Sequence, residues 1–271
     1  MLGKLHHYAH SIEVRLFQLC ELSSLSGLGK SFAGEIWRRP GNTEDWVNLA
    51  RFIDPREKVM LLDIGANVGG FTSDFLSIYR NSRAVCIEPV SSTVAQLTKR
   101  FSRDPRVQVV RCAISDTDGM ITINVEEDST LSSLARFTEQ TNDYRRTKND
   151  RTEQTPLSRI DSLSIHKLDE LLFVKIDVQG FEVEAIRGGM RTLTGADAVL
   201  LECTFADEYE GKEPSFSPCC SLLRECGLYP IVFQDYGRAL SNYAFERDVL
   251  FVKRELLGKI YFRNYFPAPT P

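Results

Sequence analysis

Leu61-Leu62-Asp63-Ile64-Gly65-Ala66-Asn67-Val68-Gly69-Gly70-Phe71 decides how this chain is read. An apolar run ends in an acid, a glycine turn follows, and a helical apolar pattern comes next. That is a buried strand, a tight turn and a helix, the usual cradle for a nucleotide-like ligand. A dinucleotide fingerprint requires G-x-G-x-x-G, and Asn67 stands where the second glycine would let the backbone approach a pyrophosphate. A cofactor without pyrophosphate fits better, and S-adenosylmethionine is the common candidate.

Working outward, Ala84-Val85-Cys86-Ile87 reads as the next buried strand and runs into Glu88-Pro89. The acid lies roughly twenty residues beyond the turn, where such folds place a carboxylate on ribose hydroxyls. A carboxylate can accept two hydroxyl hydrogen bonds at once, which suits a vicinal diol. A third strand-end acid, Asp177, follows Leu172–Ile176, and Glu202 follows Ala198–Leu201. In an open parallel sheet ligands sit at the carboxyl ends of strands, so Asp63, Glu88, Asp177 and Glu202 should gather at one rim. Acids there suit a sulfonium cofactor bearing an amine and a positive sulfur.

Strands and helices alternate through the chain. Expected strands cover 59–63, 84–87, 107–110, 121–125, 172–176, 198–201, 229–233 and 249–252. Expected helices cover 71–79, one begun by a capping Ser91 with Val94, Leu97, Thr98 and Phe101 in its stripe, 181–193, and 216–226 ending at Gly227. Such alternation gives an α/β, mostly parallel sheet with helices on both faces. Residues 1–55 form a helical extension with two amphipathic segments, residues 56–255 the α/β domain, and 256–271 a basic, aromatic tail. Within the domain, 126–156 is polar and reads as an inserted loop, a candidate substrate lid.

The 271 residues are 42% hydrophobic and 26% charged, enough to bury a full core. A net charge of -4 argues against nucleic acid as a partner. The first ten residues lack a signal-peptide core, and no apolar run could span a bilayer, so a cytoplasmic location is expected. The seven cysteines include no C-x-x-C pair, which fits reduced thiols rather than a structural zinc site. His6 and His10 are spaced for a metal, but no second ligand motif accompanies them, and no metal is assigned. The aromatic tail is compatible with a peripheral membrane contact or with packing on a second copy in a homo-oligomer.

The blocks Leu62–Gly69, Ile87-Glu88-Pro89, Cys112-Ala113-Ile114-Ser115-Asp116 with Gly119, Ser158-Arg159-Ile160-Asp161, Lys175–Glu182 and Leu200-Leu201-Glu202 together resemble the FkbM-type family of S-adenosylmethionine-dependent methyltransferases. The family often has Glu where this chain has Gln179, and Leu where it has Ile160. The resemblance implies a class I methyltransferase fold, a Rossmann-like seven-stranded sheet with the last strand antiparallel. It implies cofactor contacts from Gly65, Asn67 and Gly69, with Asp63, Ala66 and Pro89 beside them, from Glu88 to the ribose, and from Ala113 and Ile114 to the adenine. Asp177 would face the methionine end or the acceptor. Family members mostly methylate hydroxyls, often on sugars or natural products, so a small-molecule or glycan acceptor is expected. An alcohol is a poor nucleophile and benefits from a base. Asp177 is the first candidate for it, followed by Asp161 and Glu202. A nicotinamide-dependent oxidoreductase and a non-enzymatic nucleotide-binding protein of the same fold are the alternatives.

Overall fold

In the computed structural model the described residues are 53–125, 151–165, 168–206, 209–233 and 246–256. The chain divides into two compact units, Met1–Ala50 and Arg51–Pro271, and all of these residues belong to the second. The amphipathic segments expected before residue 53, the centre of the expected lid at 126–150 and the tail beyond 256 lie outside the described residues.

β1 (Val59–Ile64) is buried at every position, as a central strand covered on both faces must be. It pairs in parallel with β2 (Arg83–Ile87) on one side and β7 (Leu171–Ile176) on the other. β3 (Val107–Val110) extends the sheet beyond β2, and β8 (Ala198–Thr204) extends it beyond β7, both in parallel. β10 (Glu246–Lys253) then inserts antiparallel between β8 and β9 (Leu228–Phe233), giving the order β3-β2-β1-β7-β8-β10-β9. The order reverses direction beside β1, which is where a parallel sheet opens a crevice at its carboxyl edge.

Helix α1 (Gly70–Ile78) follows the glycine turn. Phe71, Phe75 and Tyr79 share a face, as their spacing predicts, and stack on one another and on Phe173 of β7, with ring centroids between 4.6 and 6.4 Å apart. That aromatic column anchors α1 to the sheet and so fixes the turn before it. Helix α2 (Ser91–Arg100) differs from expectation. Val90 occupies the cap position, Ser91 makes no side-chain cap, and the buried residues are Thr93 and Leu97 rather than Thr98. The capping acceptor comes from elsewhere: Glu153 takes both the N–H and the hydroxyl of Ser91, each at 2.7 Å.

Glu153 lies in the largest departure from the sequence reading. Residues 151–156, expected as the end of a loop, are strand. β6 (Arg151–Ser158) pairs antiparallel with β5 (Gly119–Val125) and parallel with the two-residue β4 (Ala113–Ile114), forming a second, three-stranded sheet. Between Arg151 and Ser158 only Thr155 is buried, so the strand has a polar composition that imitates a loop. The expected helix over 181–193 is also two pieces, α3 (Glu182–Arg187) and α4 (Met190–Thr194). They break at Gly188-Gly189 because the backbone there presses on its neighbours. A Cβ on Gly188 would lie 2.0 Å from the Ser115 carbonyl oxygen, and one on Gly189 would lie 2.7 Å from Ile160. Helix α5 (Phe216–Glu225) ends as expected, with Gly227 at φ 76 just beyond it. Among the described residues no helix is long and apolar enough to cross a membrane.

Candidate active site

The turn after β1 is built by backbone. Gly65 adopts φ 76, a region open to glycine, and a Cβ on it would fall 1.7 Å from the Asp177 carbonyl oxygen. This contact packs the β1 turn directly on the β7 turn. The N–H groups of Gly65 and Ala66 both donate to the Ile87 carbonyl at 3.0 Å, tying the turn to the end of β2. Asn67 continues at φ 48 and Gly69 at φ 79, closed by a hydrogen bond from Gly69 N–H to the Ala66 carbonyl. At the start of α1, a Cβ on Gly70 would meet nothing within 4 Å, so the helix begins in open space.

Glu88 stands where the turn meets β2. Its Oε2 accepts the Asn67 N–H and its Oε1 the Val90 N–H, each at 3.0 Å. Only 6% of the residue is exposed. Burial pushes its carboxyl up to about 7 against the pull of those two N–H donors, with the charges of Asp177 and Asp63 adding to the rise. Each carboxylate oxygen still has acceptor capacity beyond its one backbone bond. Pro89 is held from the second sheet: its carbonyl accepts from Thr155 at 3.1 Å and from Arg111 at 3.3 Å, while Arg111 also pairs with Glu153 at 3.0 Å. Ala113 and Ile114 are buried at the start of that sheet.

Asp63 is fully buried. Its Oδ2 accepts the Thr72 hydroxyl at 2.6 Å, and its Oδ1 has no hydrogen-bond partner. Burial pushes its carboxyl up, while Lys175 and Thr72 oppose the rise. Lys175 Nζ lies 4.0 Å from that Oδ1, 2.8 Å from Asp177 Oδ2, and 5.7 Å from the centre of the Phe71 ring. Burial disfavours the ammonium, but Asp177 and Asp63 outweigh it and hold Lys175 protonated above the usual lysine range. Burial likewise works against ionised Asp177. Lys175 prevails, with help from Glu202 and Gln179, and keeps that carboxyl below the usual range.

Beyond β7 the loop carries Gln179 at φ 50 and Gly180 at φ 93. Gln179 Nε2 donates to Asp177 Oδ1 at 2.9 Å and to Glu202 Oε2 at 2.6 Å, and the Tyr209 hydroxyl donates to its Oε1 at 3.3 Å. Glu182 supports this loop from below: its Oε1 accepts the Gly180 N–H at 3.0 Å, and its Oε2 is buried without a hydrogen-bond partner. Burial pushes the Glu182 carboxyl up to about 7.

Asp63, Glu88, Asp177 and Glu202 therefore converge, although Glu202 lies within β8, which runs on to Thr204, rather than closing it. Asp161 is used differently. Its carboxylate accepts the N–H groups of Arg191 and Thr192 at 3.0 and 2.8 Å and the Thr192 hydroxyl at 2.7 Å, which caps the start of α4. Lys175, Glu182, Tyr209 and the clamp on Pro89 were not singled out from sequence. Lys175 had a readable signal: it interrupts an otherwise apolar strand two residues before Asp177, and alternate strand residues share a face. Tyr209 and Glu153 carry no local signal, because tertiary structure alone brings them to the rim.

Residues 63–228 match the model of the methyltransferase FkbM domain. The 2-O-methyltransferase NoeI of Sinorhizobium fredii (strain NBRC 101917 / NGR234) is 27% identical over 176 residues, covering 62% of this chain and 71% of that protein. Among solved structures, methyltransferase FkbM from Methylobacillus flagellatus KT is similar with a TM-score of 0.46 at 13% identity, over 73% of this chain and 44% of that one. A precorrin-6y C5,15-methyltransferase from Geobacter metallireducens GS-15 has a TM-score of 0.43 at 11% identity, over 80% and 92% of the two chains. The domain match spans more than half of the sequence, and the sheet order with its antiparallel β10 is that of a class I methyltransferase. The chain belongs to the FkbM methyltransferase family.

Proposed function

We propose that this protein transfers a methyl group from S-adenosylmethionine to a hydroxyl oxygen of a sugar, a glycolipid or another natural product. The observation that carries this reading is the convergence of four acids beside the Gly65–Gly69 turn. The residues fit the cofactor. The turn and the open start of α1 would receive it. Glu88 would accept hydrogen bonds from the ribose hydroxyls, and Pro89, Ala113 and Ile114 would border the adenine. Asp63, buried and facing Lys175, would support the turn from behind.

When bound, S-adenosylmethionine supplies an electrophilic methyl on a positively charged sulfur. Asp177 and Glu202 would hold the acceptor hydroxyl by its hydrogen, in line with that methyl. One of these carboxylates would take the hydroxyl proton as the acceptor oxygen is methylated. Asp177, ion-paired and held ionised, is a weak base, so positioning carries much of the rate. Similarity to a 2-O-methyltransferase supports oxygen as the acceptor atom. Asp161, committed to α4, drops out of the base set. No observation favours a nicotinamide cofactor. Six described cysteines are unpaired, which supports a reducing, cytoplasmic setting.

Thermal unfolding with S-adenosylmethionine, S-adenosylhomocysteine and NAD, on wild type and Glu88→Ala, tests the reading. A ligand at a hundred times its Kd adds about 2.7 kcal/mol, roughly 5–10 °C at this size. Stabilisation by both sulfur ligands, reduced in Glu88→Ala, is expected; stabilisation by NAD alone, or by none, would overturn it. Transfer of labelled methyl to a panel of saccharides and lipid-linked glycans then identifies the acceptor.

A further inference from the structure

Gln179 joins two carboxylates that come from different strands. A carboxamide has two N–H hydrogens, and here one goes to Asp177, just past β7, and the other to Glu202, within β8. Ionised carboxylates only accept, so the nitrogen end of the amide must face them; the oxygen end takes the Tyr209 hydroxyl. The side chain is 9% exposed, and its backbone at φ 50 is uncommon for a residue with a Cβ. Gly180 follows at φ 93 against the Tyr209 ring, where a Cβ would come within 2.8 Å. Backbone and side chain are both committed to this bridge.

The charges facing the bridge come from every neighbouring element. Lys175 of β7 pairs with Asp177 and reaches toward Asp63 of β1. Glu88 after β2 and Glu182 of α3 both feel the charge of Asp177. Asp248 of β10 lies in register with Glu202 and acts on Lys175. The surroundings are acidic, and a third carboxylate in the bridge would have no cation of its own among these groups. A neutral donor lowers the repulsion between two adjacent carboxylates, which a third carboxylate would add to.

We propose that Gln179 is a positioning residue that ties Asp177 and Glu202 into a single pair of acceptors. The inference rests on the reading above, in which this rim takes the acceptor's proton, and it names what keeps the rim ready to do so.

The test is thermal unfolding of the full chain from pH 5 to pH 8.5 for wild type, Q179E and the double variant Q179E/E202Q, with the shift caused by S-adenosylhomocysteine recorded at pH 7.5. In Q179E the added carboxyl is protonated in the fold at low pH and can still donate. Its folded pKa lies above its unfolded value, so stability relative to wild type is retained near pH 5 and lost as pH rises. A deficit that grows by about 5 °C or more between pH 5 and pH 8 is expected. The double variant exchanges amide and carboxylate across the bridge, restores one neutral partner, and should recover most of the wild-type profile. A deficit that is constant with pH, or one the double variant fails to reduce, would overturn the inference. If Q179E does not fold at all, folding of the double variant upholds the charge argument and its failure to fold sinks it. Failure of the cofactor reading shows separately, as no shift by S-adenosylhomocysteine in wild type.

Discussion

Glu88 and Asp177 end neighbouring arms of the same sheet, and they are held in opposite ways. Backbone holds Glu88: two N–H groups, from Asn67 and Val90, point at its oxygens. Side chains hold Asp177: the Lys175 ammonium and the Gln179 amide. A backbone donor persists whatever residue carries it, so the arrangement around Glu88 depends on turn geometry. The arrangement around Asp177 depends on two particular side chains and can be retuned by substitution. On the proposed reading, the half of the rim that would take the cofactor rests on turn geometry, and the half that would face the acceptor rests on particular side chains.

Replacing one side chain on each half should break this symmetry most visibly. Lys175→Met keeps the buried stem but leaves Asp177 and Asp63 without their cation. Removing one partner of a buried pair costs about 3–5 kcal/mol, which would lower Tm by roughly 10 °C. Asn67→Ala leaves its N–H on Glu88, and the positive φ should cost about 1 kcal/mol. Urea unfolding of both variants at pH 7 measures the difference. Equal costs would mean that the ion pair contributes nothing beyond packing.

A second, smaller effect separates the halves by pH. Glu88 titrates near 7 in the fold, pushed there by burial. Ribose hydroxyls donate to a carboxylate better than to a neutral acid, so cofactor binding should favour the ionised form. Affinity for S-adenosylhomocysteine should then fall as pH drops from 8 to 6, by about tenfold per unit below the pKa. The group's raised pKa also means that folding stability declines as pH rises from its unfolded value toward 7. Binding and stability should therefore move in opposite directions with pH. Calorimetric titration of wild type and Glu88→Gln across this range checks it, with a weaker and flatter profile expected for the variant.

The division also explains what could be read from sequence. The Asp63-to-Gly69 turn, Glu88 and the succession of strands along the chain were legible because apolar period and glycine placement are local signals. Asp177 was legible as a strand end, and Glu202 as an acid near one. Their partners were less so, since Gln179 bridges strands over twenty residues apart in sequence and Tyr209 arrives from a separate loop. Of the second sheet, β5 was legible as an alternating strand, but β6 has the composition of a loop because it buries little besides Thr155. The break at Gly188-Gly189 follows from the closeness of Ser115, a contact that helical periodicity does not encode.

Asp161 sharpens the comparison from outside it. Its sequence context, an acid after Ser158-Arg159-Ile160, suggests chemistry, yet its carboxylate is spent on two N–H groups and one hydroxyl at the start of α4. Those donors outweigh burial and hold the carboxyl below the usual range. A cap of this kind is worth about 1 kcal/mol, and Asp161→Ala should lower Tm by only 2–4 °C. The stability that the low pKa contributes is present above the unfolded value and lost as pH falls through the folded one. The variant should therefore approach wild type below pH 4 and lag behind it at pH 7. Affinity for S-adenosylhomocysteine should stay within about twofold, because the capped helix lies behind the Asp177 loop rather than in the rim. A loss of binding or transfer larger than the change in stability would return Asp161 to the catalytic set and make the acceptor half wider than the Lys175–Gln179–Glu202 bridge.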